Sequence, residues 1–413
     1  MRLTMRAHRR WSFLLTLVGT CVVCLAMPAR AHAQSQAAPS SQSLSGVLSF
    51  LLTNQAVPTG DPAKDAQAAT VSRDTITGFL LAELASLPTT SSSPGLIYQL
   101  NPALGTVTRA SDSFGPFFTE RSLTAGRHQM SFGISTRFER FSSLDGHELR
   151  DGTFVTSGNQ FRDEAQPFDV ETLRLDLELR TLEVFTNIGI TDRLDIGAAV
   201  PFESIKLDGE RRETYRGTPL LQATATAHAN GIGDIALRAK YKFLDEDKDS
   251  GTPGLATVVE ARLPTGDEQN LLGAGKASIR ATLVAAYELG RVDAYANIGV
   301  VGGGLSNELQ YRGAVDFNVS PRVTVVGELV GRRLSDVGRI ITTRTPHPTI
   351  AGVDTIRLES DNGSSQSTAA VAGVKWNIVG TWLLGGSVAV PLTDSGLRSR
   401  VIAQIGLDYA FTR

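Results

Sequence analysis

Charged side chains recur at every second position in several stretches of this chain, and that spacing is where its chemistry lies. Arg238, Lys240 and Lys242 alternate with Leu237, Ala239, Tyr241 and Phe243. The same pattern places Arg137 and Glu139 beside Phe138, and brings in Glu260, Arg262, Arg280, Arg312, Asp316, Glu328 and Arg332. Successive side chains of a strand point to opposite sides, so each stretch has one charged face and one apolar face. Arg174, Asp176, Glu178 and Asp293 are expected to join the charged face. Such a set could line a polar path for a solute, or pair across strands and stiffen a wall. The residues alone leave both open.

Other candidates for chemistry are weaker. His128, His147, His228 and His347 lie at one strand start and in three connecting segments, and no pair has metal-ligand spacing. His147 near Asp145, together with His228, permits a lipase or protease at a barrel rim without indicating one. The run Asp245 to Gly251 resembles the opening of a calcium loop, but Ser250 stands where its glycine belongs and Ala256 where its closing glutamate belongs. A solvated acidic turn is the simpler reading. Gly275-Lys276-Ala277-Ser278 lacks the first glycine of a phosphate loop, where Asn270 stands. No enzyme activity, cofactor or metal is therefore expected.

The amino terminus sets the address. Arg2, Arg6, Arg9 and Arg10 precede an apolar run from Trp11 to about Met27, and Ala31-His32-Ala33 reads as a signal peptidase site. Residues 1–33 are expected to be removed, which takes the formal net charge from −2 to −7 and argues against nucleic acid as a partner. Both cysteines, Cys21 and Cys24, leave with the leader. No later stretch approaches the 18 or so consecutive apolar residues of a spanning helix.

Elements must hold the charges in place, and the chain divides at about Arg127. Residues 34–126 hold a Ser/Gln/Ala-rich start to about Ser45, an apolar patch from Leu44 to Leu52 and an amphipathic helix over 72–87, capped by Ser72 or Asp74 and closed by Pro88. A hairpin about Asn101 to Gly105 and a Phe-rich run from Ser113 to Phe118 follow. Residues 127–413 read as about twelve alternating strands: 127–141, 173–190, 193–206, 231–243, 255–263, 277–288, 291–301, 308–319, 322–334, 367–378, 381–391 and 398–411. In the second, the apolar parity changes between Leu179 and Leu182, which predicts a β-bulge near Arg180 and Thr181.

Loop lengths decide what kind of β-protein this is. Tight links at Thr191-Asp192, Leu289-Gly290, Ser320-Pro321 and Val379-Gly380 share one parity, while the long links 142–172, 207–230 and 335–366 share the other. A transmembrane antiparallel up-and-down barrel sorts its connections in this way, with short periplasmic turns and long outer loops. Its apolar face then meets lipid and its charges face the lumen. About twelve strands leave a narrow bore. If strands four and five pair so that positions sum to about 498, Arg238 lies opposite Glu260.

Gly231-Ile232-Gly233-Asp234-Ile235 running into Lys240-Tyr241-Lys242-Phe243, Leu263-Pro264-Thr265-Gly266-Asp267, and Gly189 to Asp195 with Val200-Pro201-Phe202 resemble the outer-membrane barrel family associated with the meta-pathway of phenol degradation. Its members are described as transporters of hydrophobic or aromatic compounds. The resemblance implies a barrel and a transport role, and brings no catalytic residues. Asn101-Pro102-Ala103 is also similar to a tripeptide in the hatch of long-chain fatty-acid outer-membrane transporters, whereas Thr412-Arg413 departs from the aromatic end usual in such barrels.

The expectation is an exported outer-membrane β-barrel over 127–413, embedded in the lipid bilayer, with 34–126 as a plug or periplasmic lid. Its function would be passive passage of small, hydrophobic or aromatic solutes. A non-conducting barrel with a salt-bridged lumen and a rim enzyme are the alternatives.

Overall fold

The computed structural model describes residues 43–53, 57–85, 90–101, 106–246, 251–335, 337–361 and 363–411. The leader with its cleavage site, Pro88, Pro102-Ala103, Asp247 to Ser250 and Thr412-Arg413 lie outside them. Two helices come first, α1 (Leu44–Thr53) and α2 (Pro62–Ala85). A short hairpin follows, β1 (Tyr98–Asn101) with β2 (Thr106–Arg109), at the position expected from the sequence.

Twelve strands then close into one antiparallel barrel. They are β3 (Met130–Leu144), β6 (Asp169–Gly189), β7 (Leu194–Tyr215), β9 (Ile235–Leu244), β10 (Gly254–Leu263), β11 (Ser278–Leu289), β12 (Val292–Gly303), β13 (Glu308–Ser320), β14 (Val323–Leu334), β17 (Ser365–Val379), β18 (Trp382–Pro391) and β19 (Leu397–Phe411). Each corresponds to one strand expected from the alternation. The seam between β19 and β3 completes the ring, pairing Phe411 with Met130 and Leu407 with Ile134.

The long links are not plain loops. They carry β4 (His147–Glu148), β5 (Phe154–Phe161), β8 (Thr218–Ile232), β15 (Arg339–Pro346) and β16 (Val353–Asp361), which pair with the ends of neighbouring strands and raise the wall on that side. Gly231 and Ile232 therefore belong to β8, and the spanning strand expected from Gly231 begins at Ile235. Most spanning strands have 10 to 15 residues, close to what a bilayer needs. β6 and β7 have 21 and 22, and the excess rises past the membrane.

That excess explains the apparent parity change in the second strand. β6 pairs with β3 and with β7 in unbroken register through Arg180 and Thr181, so there is no bulge there. Odd-numbered side chains point inward throughout. Below Thr181 these are Glu183 and Asn187, with Leu182, Val184 and Ile188 on the outside; above it they are Leu173, Leu175, Leu177 and Leu179, all buried. Polarity inverts because the solvent inverts: hydrocarbon bathes the lower exterior and water the upper one. Arg174, Asp176 and Glu178 consequently lie on the outer surface of the raised wall, not in the lumen, and Arg140 reaches Asp176 and Glu178 there.

Aromatic side chains mark the two edges of the apolar band. Phe138 and Phe202 are exposed at the upper edge, where Arg180 lies over the Phe138 ring at 5.5 Å. Tyr241, Phe243, Trp376, Trp382 and Phe411 are exposed near the tight turns. Between them the exterior carries Leu237, Val259, Ile279, Leu283, Ile298 and Val315. This is the aromatic-girdled apolar belt of a membrane barrel.

Within the raised wall, α1 turns Leu44, Val47, Leu48, Leu51 and Leu52 onto Leu173, Leu175, Leu177, Ile205 and Leu207. α2 starts ten residues earlier than expected, because Asp61 accepts the Lys64 amide and Pro62 suits a first helical position. Ser72, expected as its cap, is mid-helix and donates to the Leu358 carbonyl.

Leu237 sits on the lipid face. Leu237→Arg should cost about 2–4 kcal/mol near the bilayer midplane. Less of the heat-modifiable band of the folded barrel should then form on unboiled electrophoresis, while Leu237→Ile assembles normally.

Candidate functional site

The candidate site is the lumen between the girdles, and the chain's own residues 90–125 occupy it. From α2 the segment descends along β6 and β9 and forms the hairpin β1–β2 near the tight turns, where Arg109 donates to the Pro321 carbonyl. It then turns back into the bore. It leaves at the turn side, where the Ala125 amide donates to Asp195 at 2.7 Å and the Arg127 amide to Asp192.

Glu120 ties this segment to itself and to the wall. Its carboxylate accepts the Ser92 amide at 2.8 Å and the hydroxyls of Ser91 and Ser92, and the Lys240 ammonium at 2.9 Å. Lys240 also donates to Ser93. The Glu120 backbone completes the fix through Asn297, which accepts from its amide and donates to its carbonyl. Glu328 makes the second anchor. Its two carboxylate oxygens accept the consecutive amides of Phe117, Phe118 and Thr119, and the Thr119 hydroxyl at 2.8 Å. Asp316 accepts the Ser113 hydroxyl at 2.6 Å, and Lys375 donates to the carbonyls of Phe114 and Pro116. Charge-assisted bonds of this kind contribute about 1.5–3 kcal/mol each.

The remaining charges pair within the wall or with the amino-terminal residues. Arg238 and Glu260 stand opposite each other as the register sum requires, with Nε at 2.6 Å from Oε2. Arg280 reaches the same oxygen at 2.6 Å and Arg262 the other at 3.0 Å, so one buried carboxylate serves three guanidiniums. Arg312 donates to the Phe118 carbonyl at 2.5 Å. Arg137 pairs with Glu139 along β3 at 2.8 Å, and Arg332 pairs with Glu83 of α2. Lys242 pairs with Asp245 at the turn side, at 2.7 Å. The twelve expected lumen residues thus fall into a cationic cluster on β9 to β13, an Arg137–Glu139 pair facing Arg332, and anchors for the segment.

Glu120, Asn297, Lys375 and Glu83 were not among the expected residues. Lys375 has a period-two signal, since it alternates with Val374 and Trp376. Glu120 and Glu83 lie where no strand pattern exists to reveal them.

Two spaces lie near the upper end among the described residues. One, of about 30 Å³, is lined by Asp234, Arg262, Lys276, Arg280 and Glu308. The other, of about 100 Å³, runs under α2 from Glu139, Arg312 and Arg332 to Ala369, Leu397 and Ile402. His147 stacks on Phe154, and His347 is bonded within its own loop, so the rim histidines share no constellation.

The chain is a closed twelve-strand transmembrane β-barrel of the outer-membrane type with a segment of its own in the bore. Residues 158–337 match the family described as "Putative MetA-pathway of phenol degradation", the family that the sequence motifs resemble. No curated protein sequence matches the chain. Among solved structures it is similar to an outer membrane channel from Pseudomonas putida F1, with 11% identity and a TM-score of 0.44 over 70% of this chain and 98% of that one. It is also similar to the P. putida toluene transporter TodX (10% identity, TM-score 0.32, 69% and 90% coverage) and to the CymD monoaromatic hydrocarbon channel (9%, 0.27, 70% and 90%).

Replacing Glu260 by Ala takes the shared carboxylate from three guanidiniums, two of them buried, whereas Arg238→Ala leaves the carboxylate two partners. Breaking such a buried arrangement costs about 3–5 kcal/mol. Glu260→Ala should therefore lower the temperature at which the folded band is lost on electrophoresis, and Arg238→Ala should change it little.

Glu246, in the turn after β9, receives a hydrogen bond from the Ser122 hydroxyl, and burial, reinforced by the Glu288 carboxylate, pushes its pKa up to about 7. The folded protein holds this proton in a range where the unfolded chain has lost it. Its contribution is full at acid pH and falls as pH rises through the ordinary carboxylate range to about 7. Melting followed against pH should decline over that window, and Glu246→Gln should flatten the decline.

Proposed function

We propose that this protein is an outer-membrane channel for passive passage of small hydrophobic or aromatic solutes, with residues 34–126 acting as its plug. The observation that carries this reading is the cavity of about 100 Å³ under α2, where Phe141, Val330, Leu397 and Ile402 give an apolar wall beside Glu139, Arg312 and Arg332. The family match and the channels and transporters to which the fold is similar support the same reading.

Seven of the twelve charged residues then divide between two roles. Glu328, Asp316 and Lys240 hold the plug through hydrogen bonds, which water can replace when it shifts. Arg238, Glu260, Arg262 and Arg280 keep the wall rigid beside it. The second reading is a closed structural barrel, favoured by the density of these pairs around the segment. A rim enzyme has no supporting geometry among the described residues.

Deleting residues 34–120 should raise single-channel conductance in planar bilayers several-fold, and Glu120→Gln should produce intermittent openings. Unchanged conductance in both variants would count against the plug. Absence of any uptake of hydrophobic solutes by cells carrying the native protein would favour the closed barrel.

A further inference from the structure

The outer face of the wall changes character step by step across β6, β7 and β8. Register sets Leu182, Phe202 and Ile232 side by side in one row. The next row up is Arg180, Ser204 and Asn230, and the one above it Glu178, Lys206 and His228. Apolar, then polar, then ionisable groups thus follow one another along the strands. Phe202 and Ile232 belong to the exposed apolar exterior, so the three rows straddle the upper edge of the apolar band, on the side of the long links.

The middle row is also hollow. Ser204 and Gly231 are small beside Phe202, Ile232 and Arg180, and a recess of about 440 Å³ lies over them on the outer surface. Beneath it β7 exchanges partners, from β9 at Ala199–Ala236 to β8 at Phe202–Ile232. The Gly233 amide donates to the Pro201 carbonyl at 2.8 Å across that exchange, so the wall behind the recess stays bonded.

Its lining matches an amphiphile with an anionic head. Leu182, Phe202 and Ile232 present apolar surface to hydrocarbon chains. Arg180 is the one charged side chain of the lining that faces outward, since Glu203 points to the lumen and is buried. The Arg180 side chain is 68% exposed; Glu178 lies 3.9 Å from it and is already engaged by Arg140 at 3.3 Å. Its planar fork therefore keeps donors in the geometry that a phosphate accepts. The Ser204 hydroxyl and the Asn230 amide stand exposed beside it, and among the described residues neither is bonded to a protein group. They can serve phosphate oxygens or sugar hydroxyls. Lys206, one row up, is paired with Asp208 at 2.7 Å.

We propose that this recess binds one phosphorylated, acylated glycolipid of the outer leaflet, with acyl chains along Leu182, Phe202 and Ile232 and a phosphate on Arg180, Ser204 and Asn230. The side of the long links is the outer leaflet, whose lipid carries both the phosphate and the sugar hydroxyls that this row of donors fits. The site needs only the membrane position of the barrel and is independent of whether the bore conducts.

The test counts bound lipid. Detergent-solubilised protein is mixed with bisphosphorylated lipid A, with the same lipid stripped of its phosphates, or with phosphatidylglycerol, and adducts are measured by native mass spectrometry. The native protein should hold one molecule of lipid A, and bind the other two about tenfold or more weakly. Arg180→Gln should weaken lipid A binding by a similar factor, as should Ser204→Trp, which fills the recess. Arg333→Gln, which removes an exposed arginine at the same end of β14, should bind as the native protein does. The folded band on unboiled electrophoresis shows that each variant is a barrel, and the three lipids on native protein decide the matter if a variant lacks it. Equal binding of the three lipids, native-level binding by Arg180→Gln or Ser204→Trp, or an equal loss in Arg333→Gln would overturn the site.

Discussion

Hydrocarbon tolerates neither an unpaired backbone amide nor an uncompensated charge, and nearly everything in this molecule follows from that constraint. It forces the twelve strands to close on one another through the seam from β3 to β19. It also sends Leu237, Ile279 and Leu283 outward and the arginines inward. Once inside, the arginines face a second form of the same problem, because a bore of this size is too narrow to hydrate them all freely. The wall solves part of it by sharing Glu260 among three guanidiniums. The remainder is solved by chain: residues 90–125 bring Glu120 to Lys240 and backbone carbonyls to Arg312 and Lys375.

The same rule, with water substituted for lipid, builds the upper third. Above Thr181 the outer surface of β6 carries Arg174, Asp176 and Glu178, and its inner surface carries leucines that close over α1. The barrel is therefore two proteins stacked on one set of strands, inside-out where lipid surrounds it and ordinary where water does.

Much of the wall was legible in the sequence because alternation with period two survives whichever side is wet, and because loop lengths sort by side. Twelve strands and the Arg238–Glu260 register follow from those two signals. The alternation could not tell which solvent bathes each length of strand, so leucines facing an inner core read like leucines facing lipid, and a bulge was inferred at Arg180 where the medium changes instead. The five extra strands of the long links were missed because they extend existing pairings without a membrane to demand strong periodicity. The contacts of residues 90–125 were illegible for another reason: Glu120 meets Lys240 across 120 residues of sequence, and no local pattern connects them.

The path of the segment has a consequence for assembly. The chain enters the bore from the raised rim, where α1 and α2 lie, and comes out beside the tight turns at Arg127. The seam of β19 with β3 therefore closes a hoop around the segment, and every bond from Glu328, Lys240 and Lys375 to it lies inside that hoop.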